Sequence, residues 1–423
     1  MRTKMFPFYK TIGTEEIAAV TKVLKSGVLS RFLGSWHEDF YGGEQVQKLE
    51  KEWAKYFKVK HAISVNSATS GLYCAIGACG IGPGDEVIVT PYSMCVSATA
   101  PLIYNAIPVF ADIEEDYFCL DPKSVEEKIT QRTKAILVVD LFGQPYDADK
   151  INAIAKKHNL YVIEDAAQSP GANYKGKMAG TLGDIGVYSL NFHKHIHTGE
   201  GGIVVTDNDE LADRVRLIRN HAEAVVEGKG YTSLINMIGY NFRMTETEAA
   251  IGRVQLKKLD KLINTRLKNV DYLASELSKM PFLKPALVRP GCKHVFCKHP
   301  IKYDEKIAGV PRNKFIEAVK AELMPMKNRE NHGVLINCGY MKPLYLLPLY
   351  QKLIGFGDKN CPFKCPHYKG ELNYSQGLCP VTEKMYGKEL FIHDLMTPPF
   401  TKKDLDDVIS TFKKVYENID ELK

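Results

Sequence analysis

Residues 188–208 read YSLNFHKHIHTGEGGIVVTDN, and one lysine, Lys194, stands there between His193 and His195. His197 lies two residues further on, and Gly199-Glu200-Gly201-Gly202 follow at once. Such a segment offers three chemistries: metal ligation by imidazoles, anion binding by a basic patch, or covalent attack by an amine. Metal ligation fits poorly. The three histidines would share one face of an extended segment, but no acid or cysteine stands at ligand spacing and a cation sits among them.

Other chemically capable residues stand upstream, each at the end of an apolar run. VNSATSG (65–71) leads small residues into a helical pattern. Small side chains let backbone N–H groups approach a phosphate, and a helix N-terminus adds positive partial charge; the plain alternative is a helix cap. Glu164 and Asp165 close the run VIED with Gln168 just beyond, and Ser189 ends DIGVYS. An acid after one strand, a hydroxyl after the next and a lysine five residues later suit a pyridoxal phosphate (PLP) site. That cofactor needs a Schiff-base lysine, an acid on its pyridinium nitrogen and a phosphate cup.

The elements that would position these groups alternate regularly. HAISVN, DEVIVT, IPVFADI, KAILVVDLF and LYVIEDA read as strands. Between them, SATSGLYCAIGACG, CVSATAPLIYN, PKSVEEKIT and DKINAIAKKHN read as helices. Apolar strands separated by amphipathic helices predict a mostly parallel sheet covered on both faces, with ligands at the carboxyl ends of its strands. DIGVYSLN and GGIVVT follow close together, as strands near a sheet edge would. Past residue 250 a long charged helix leads to an irregular, proline-bearing remainder. The expected division is a large α/β domain over 1–255, with an N-terminal arm, and a smaller α+β domain over 256–423.

The chain has 423 residues, a 25% charged fraction and a net charge of +6 with acids and lysines interspersed, which makes no case for nucleic acid or an anionic membrane. The N-terminus shows no signal-peptide core, and no run is long enough to span a bilayer. Ten cysteines, several inside apolar segments, fit reduced thiols in a cytoplasm. Cys361, Cys365, His367 and Cys379 match no standard zinc spacing, so no metal is expected; the segment 340–380 that holds them reads as a substrate-facing loop.

Five blocks in order, GIGPGDEVIVTP, IPVFADI, VIEDAAQSPGANYKGKMAGTLGDIG, HKHIHTGEGGIVVTDN and GYNFRMTETEAAIGRVQLKKLD, resemble the DegT/DnrJ/EryC1/StrS family of PLP-dependent sugar aminotransferases. The resemblance covers most of the chain and implies the fold type I aminotransferase architecture. It implies that Lys194 forms the internal aldimine with PLP and that Asp165 keeps the pyridine nitrogen protonated. Gln168 matches a residue near the ring's phenolate oxygen, and Ala68, Thr69 and Ser189 match the phosphate cup. Asn241 matches an asparagine that reaches a neighbouring subunit's phosphate, so a homodimer with shared sites is implied. Arg243 matches, more weakly, a group for the amino donor's carboxylate.

Two positions depart from the family pattern. Met94 stands where an aromatic residue usually stacks on the ring, with Tyr92 as the substitute if the register shifts, and Ala68 stands where glycine is common. The implied activity moves an amino group from glutamate or glutamine to a keto sugar, nucleotide-linked, in amino-sugar or surface-polysaccharide biosynthesis. A sugar dehydratase or a cyclitol (2-deoxy-scyllo-inosose-type) aminotransferase on the same fold is the alternative, and a non-catalytic regulatory protein a remote one. The dehydratase chemistry goes with loss of the lysine, which is present. The histidines flanking Lys194 could become imidazolium near the cofactor phosphate and help keep the lysine amine neutral; the plain alternative is that they only pack the loop.

Overall fold

Seven apolar runs pair into one sheet in the computed structural model, which describes residues 2–423. They are β1 (His61–Val65), β2 (Glu86–Val89), β3 (Ile107–Phe110), β4 (Thr133–Val139), β5 (Tyr161–Asp165) and, after the short hairpin β6 (Asn173–Tyr174) and β7 (Lys177–Met178), β8 (Ile185–Ser189) and β9 (Gly202–Thr206). The order across the sheet is β1-β9-β8-β5-β4-β2-β3. Neighbours from β8 to β3 are parallel, whereas β9 runs antiparallel to both β8 and β1. β1 therefore takes the edge beyond the closely spaced β8 and β9.

Both faces of this sheet are buried, which is why its strands read as continuous apolar runs. Val187 and Val204 face a cluster built with Leu72, Ala75 and Ile76 of the helix Ala68–Ala78. Their neighbours Tyr188, Ile203 and Val205 face the opposite side, against Trp53 and Phe57 of the helix Glu44–Phe57 and Leu256 and Leu259 of the helix Glu246–Leu277. The helix Ala68–Ala78 lies close on the sheet because Gly71 faces Val187, where an added Cβ would sit 2.7 Å from Cγ1.

The helix Glu246–Leu277 is closed by a capping box between Thr245 and Glu248 and runs unbroken past residue 255. Its last turns, with Leu273 and Leu277, enter a second core. That core covers a four-stranded antiparallel sheet, order β10-β12-β14-β13, made of β10 (Leu283–Pro285), β12 (His299–Tyr303), β13 (Ile336–Cys338) and β14 (Leu390–His393). Between β10 and β12, β11 (Cys292–Lys293) pairs with β6 and ties the two regions together.

Of the segment 340–380 expected to face the substrate, Tyr340 lines the pocket that holds Lys194, whereas the part from Leu344 to Cys379 turns elsewhere. It returns to the large sheet, where Tyr345, Tyr350 and Tyr374 ring Phe110 of the edge strand β3. The Tyr374 hydroxyl donates to the Pro108 carbonyl at 3.0 Å, and the Tyr368 hydroxyl to buried Glu86 at 2.8 Å. An exposed strand edge is a template for pairing with other chains, and this segment covers it. The cysteines also differ from the all-reduced expectation. Cys361 and Cys365 form a disulfide across a turn that brings their Cα atoms to 5.0 Å, while Cys379 is a buried free thiol. Among the described residues, no helix is long and apolar enough to cross a membrane.

Candidate active site

A pocket of about 450 Å³ opens at the carboxyl ends of the parallel strands. Ala68, Thr69, Met94, Asp165, Gln168, Ser189 and Lys194 all line it, although they come from four separate stretches of the chain. Each position follows from the local fold. Ser67 caps its helix by accepting the Ser70 N–H at 3.0 Å, which leaves the N–H groups of Ala68 and Thr69 at the first turn without helical acceptors. Ala68 does not have a positive φ, so glycine is not required there. Gly202 lets the start of β9 press against this helix terminus, since a Cβ would lie 2.7 Å from the Ala68 nitrogen. The glycines after Lys194 thus serve backbone packing as well as space: Gly199 has open surroundings, whereas Gly201 and Gly202 do not.

Asp165, buried at the end of β5, accepts the Ala167 N–H on Oδ1 at 3.1 Å and the Ser97 hydroxyl on Oδ2 at 3.0 Å. Burial raises its pKa, while the Ala167 N–H, the Lys194 cation and the Ser97 hydroxyl oppose the rise. The site thus holds a carboxyl whose ionisation depends on a nearby positive charge. Gln168 Oε1 accepts the Phe142 N–H at 2.9 Å, and its Nε2 donates to the Tyr340 hydroxyl at 3.4 Å. That leaves one amide N–H for the pocket. Ser189 Oγ accepts the Asn191 N–H at 3.2 Å and so keeps its own proton to donate. The Lys194 N–H bonds to the Asn191 carbonyl at 2.9 Å, and Asn191 Nδ2 holds both carboxylate oxygens of Glu200. These contacts fasten the turn that carries the amine.

This donor set fits PLP. Two backbone N–H groups at a helix N-terminus and a free serine hydroxyl suit a phosphate, and a buried acid awaits a cationic ring nitrogen. Met94 is 46% exposed at the pocket wall, where a thioether can lie on a ring face. Tyr92 cannot replace it: the ring is fully buried and its hydroxyl accepts the Tyr340 N–H at 2.8 Å.

The flanking histidines depart from expectation. His195 is buried beneath the pocket and its Nε2–H donates to the Val295 carbonyl at 2.9 Å, so burial holds its pKa well below the ordinary value. His193 sits at the pocket mouth with its ring against Phe192, centroids 3.6 Å apart. Lost hydration and then the cations of Arg329, Lys298 and Lys194 lower its pKa to about 4. His197 is also lowered, by burial. All three are shifted toward the neutral form, opposite to the imidazolium expected beside the lysine.

Asn241 and Arg243 lie outside their own chain's pocket. Asn241 is exposed and bridges Asn220, whose side-chain oxygen accepts from Arg243 Nη1 at 3.0 Å. The pocket also contains residues that the sequence reading missed: Lys298, Cys297 and Tyr340, with Ser97 just behind Asp165. The first three come from the irregular C-terminal region, which carries no periodic signal.

Comparison with known proteins agrees with this geometry. The DegT/DnrJ/EryC1/StrS aminotransferase family matches residues 10–364. The chain is 34% identical over 415 residues to the spore coat polysaccharide biosynthesis protein SpsC of Bacillus subtilis, covering 97% of this chain and 96% of that protein. It is 36% identical over 315 residues to GDP-perosamine synthase of Caulobacter vibrioides, covering 74% and 80%. Among solved structures, S. venezuelae DesV in complex with a ketimine intermediate superposes with a TM-score of 0.78 at 29% identity, covering 98% and 99%. The chain belongs to the DegT/DnrJ/EryC1/StrS aminotransferase family, whose members are PLP-dependent enzymes.

Proposed function

We propose that this family member transfers an amino group from glutamate or glutamine to a keto sugar, nucleotide-linked, for an amino-sugar or surface-polysaccharide pathway. The observation that carries the reading is buried Asp165 within electrostatic reach of Lys194, in a pocket whose far end offers N–H and hydroxyl donors. Support for the sugar comes from the relatives, one named for spore coat polysaccharide and one for GDP-perosamine.

PLP, when bound, supplies an aldehyde for condensation with amines and a ring that accepts the electron pair left when a C–H bond breaks. Lys194 supplies the amine that holds the cofactor covalently. Once free, its Nζ would serve as the base that takes the proton from the donor's Cα and then as the acid that returns it. Asp165 would pair with a ring-nitrogen cation, which favours its ionised form against burial, as the Ala167 N–H and Ser97 also do. The Ala68 and Thr69 N–H groups and the Ser189 hydroxyl would hold the phosphate, Gln168 would offer its free N–H to the ring oxygen, and Met94 would lie against the ring. The retained Lys194 opposes the dehydratase alternative.

The reading includes a homodimer in which Asn241 reaches the partner's phosphate site. Asn241 is exposed outside its own pocket, and nearby Leu234, Ile235 and Ile238 expose 59%, 66% and 72% of their surface, an apolar patch of the kind that interfaces cover. A cytoplasmic location goes with it, resting on eight free thiols against the one Cys361–Cys365 pair. The test mixes the pyridoxamine-phosphate form of the protein with a panel of nucleotide-linked 3-keto and 4-keto sugars. The true acceptor restores the original cofactor absorbance; a form that reacts with 2-oxoglutarate but with no keto sugar refutes the sugar assignment.

A further inference from the structure

A second cavity, of about 250 Å³, adjoins the Lys194 pocket and shares His193, Cys297 and Lys298 with it. Three cations line it, Arg266, Lys298 and Arg329, against one carboxylate, Asp394. Two of these cations are already committed. Arg266 Nη1 donates to the carbonyls of Phe296 and Cys297 at 3.0 and 3.2 Å, and Lys298 is salt-bridged to Asp394.

Arg329 is different. It forms no ion pair among the described residues, and its Nε is buried without a hydrogen-bond partner. The adjacent acid does not serve it, because the Glu330 carboxylate accepts the Asn328 N–H at 2.9 Å and is exposed. Leaving a buried donor unpaired is costly, more so for a charged group, and an incoming acceptor would recover that cost. The guanidinium is also close to the chemistry: its charge acts on His193, which lines both cavities.

We propose that Arg329 and this cavity receive an oxyanion of the substrate, holding the reacting carbon toward Lys194. The proposal deepens the aminotransferase reading and rests on it. A planar guanidinium suits paired oxygens, and two substrate parts present them: the carboxylate of the amino donor and the phosphate of a nucleotide-linked sugar. The aromatic rings of Phe8 and Tyr9 on the cavity wall exclude water from the contact and strengthen it.

The experiment titrates the holoenzyme calorimetrically with 2-oxoglutarate and, separately, with uridine, guanosine and thymidine diphosphates, in wild type, Arg329→Gln and Arg329→Lys. The glutamine variant should bind one of the two classes at least tenfold more weakly, with partial recovery in the lysine variant and an unchanged cofactor absorbance band. A loss confined to 2-oxoglutarate assigns the donor carboxylate; a loss confined to a nucleotide assigns the phosphate. Wild type and Arg329→Gln indistinguishable toward both classes overturns the proposal. Amination of a keto sugar by the wild-type protein tests the underlying reading independently, so unchanged titrations beside intact amination would overturn only the subsite.

Discussion

Replacing Ser97 with alanine should detune Asp165 without touching substrate. Ser97 Oγ lies 3.0 Å from Asp165 Oδ2 and 3.1 Å from Ser93 Oγ, and a hydroxyl has one proton. The carboxylate is the stronger acceptor, so Ser97 donates to Asp165 and accepts from Ser93. Asp165 has one other hydrogen bond, from the Ala167 N–H. A hydrogen bond to a charged group contributes about 1.5–3 kcal/mol, and one pKa unit corresponds to about 1.4 kcal/mol. The Asp165 pKa, already raised by burial, should therefore rise further.

Loss of that hydrogen bond favours the neutral acid, so its effect should be largest at low pH and fade as the pH rises. The donor half-reaction should slow by about tenfold near neutral pH and recover in alkali, with the acidic limb of its profile displaced upward. Infrared difference spectra of the apoprotein, with Asp165→Asn as reference, should show the protonated carboxyl band persisting to higher pH. Ser97→Thr keeps the hydroxyl and should restore both readouts. An equal loss of rate at every pH, with the carboxyl band unmoved, would show that Ser97 only packs the helix Val96–Ile103.

Borohydride reduction and digestion should place the pyridoxyl label on Lys194, and a label on any other lysine refutes its covalent role. Mixed dimers of Lys194→Ala and Asn241→Ala should regain activity that neither parent has, because one site then receives both residues; an active monomer, or no recovery on subunit exchange, refutes the shared site. Buried His393 has its pKa lowered to about 3 by burial and by Lys298, so the folded protein excludes a proton that the unfolded chain takes up. Its contribution is complete above pH 6.5 and is lost as the pH falls toward 3, at about 1.4 kcal/mol per pH unit. Denaturant unfolding of His393→Gln across pH 6 to 4 should show a slope shallower by that amount, and an unchanged slope refutes the assignment.

Much of the site was legible because it lies on a regular alternation. Ala68 and Thr69 open a helix straight after β1, Asp165 closes β5 and Ser189 closes β8, each marked by the change from apolar run to polar residue. Parallel strands carry those changes to one end of the sheet, so linear order nearly sufficed to place them together. Ser97 had no such mark. It lies in a helix whose small and apolar residues read as packing, and its partner is 68 residues away. Tyr340 and Lys298 come from the region without periodicity, and the residues after Tyr340 gave no sign that they would turn back to cover β3. Cys361 and Cys365 stand four residues apart, a spacing that carries no signal until the turn between them is known.

The histidines show a different limit. HKHIH looks basic as text, and a phosphate nearby seemed sufficient to protonate it. The fold instead sends His195 beneath the pocket to a backbone carbonyl and packs His193 against Phe192 among three cations. Desolvation and like charge then act in the same direction, and both push the rings toward the neutral form. The positive character around Lys194 comes instead from Lys298 and Arg329, more than a hundred residues downstream, of which only Arg329 remains unpaired. On the proposed roles, proton transfer and anion recognition would be divided between Lys194 on the large sheet and an arginine beside the second core. A substrate bound by both would bridge the two regions that the helix Glu246–Leu277 joins.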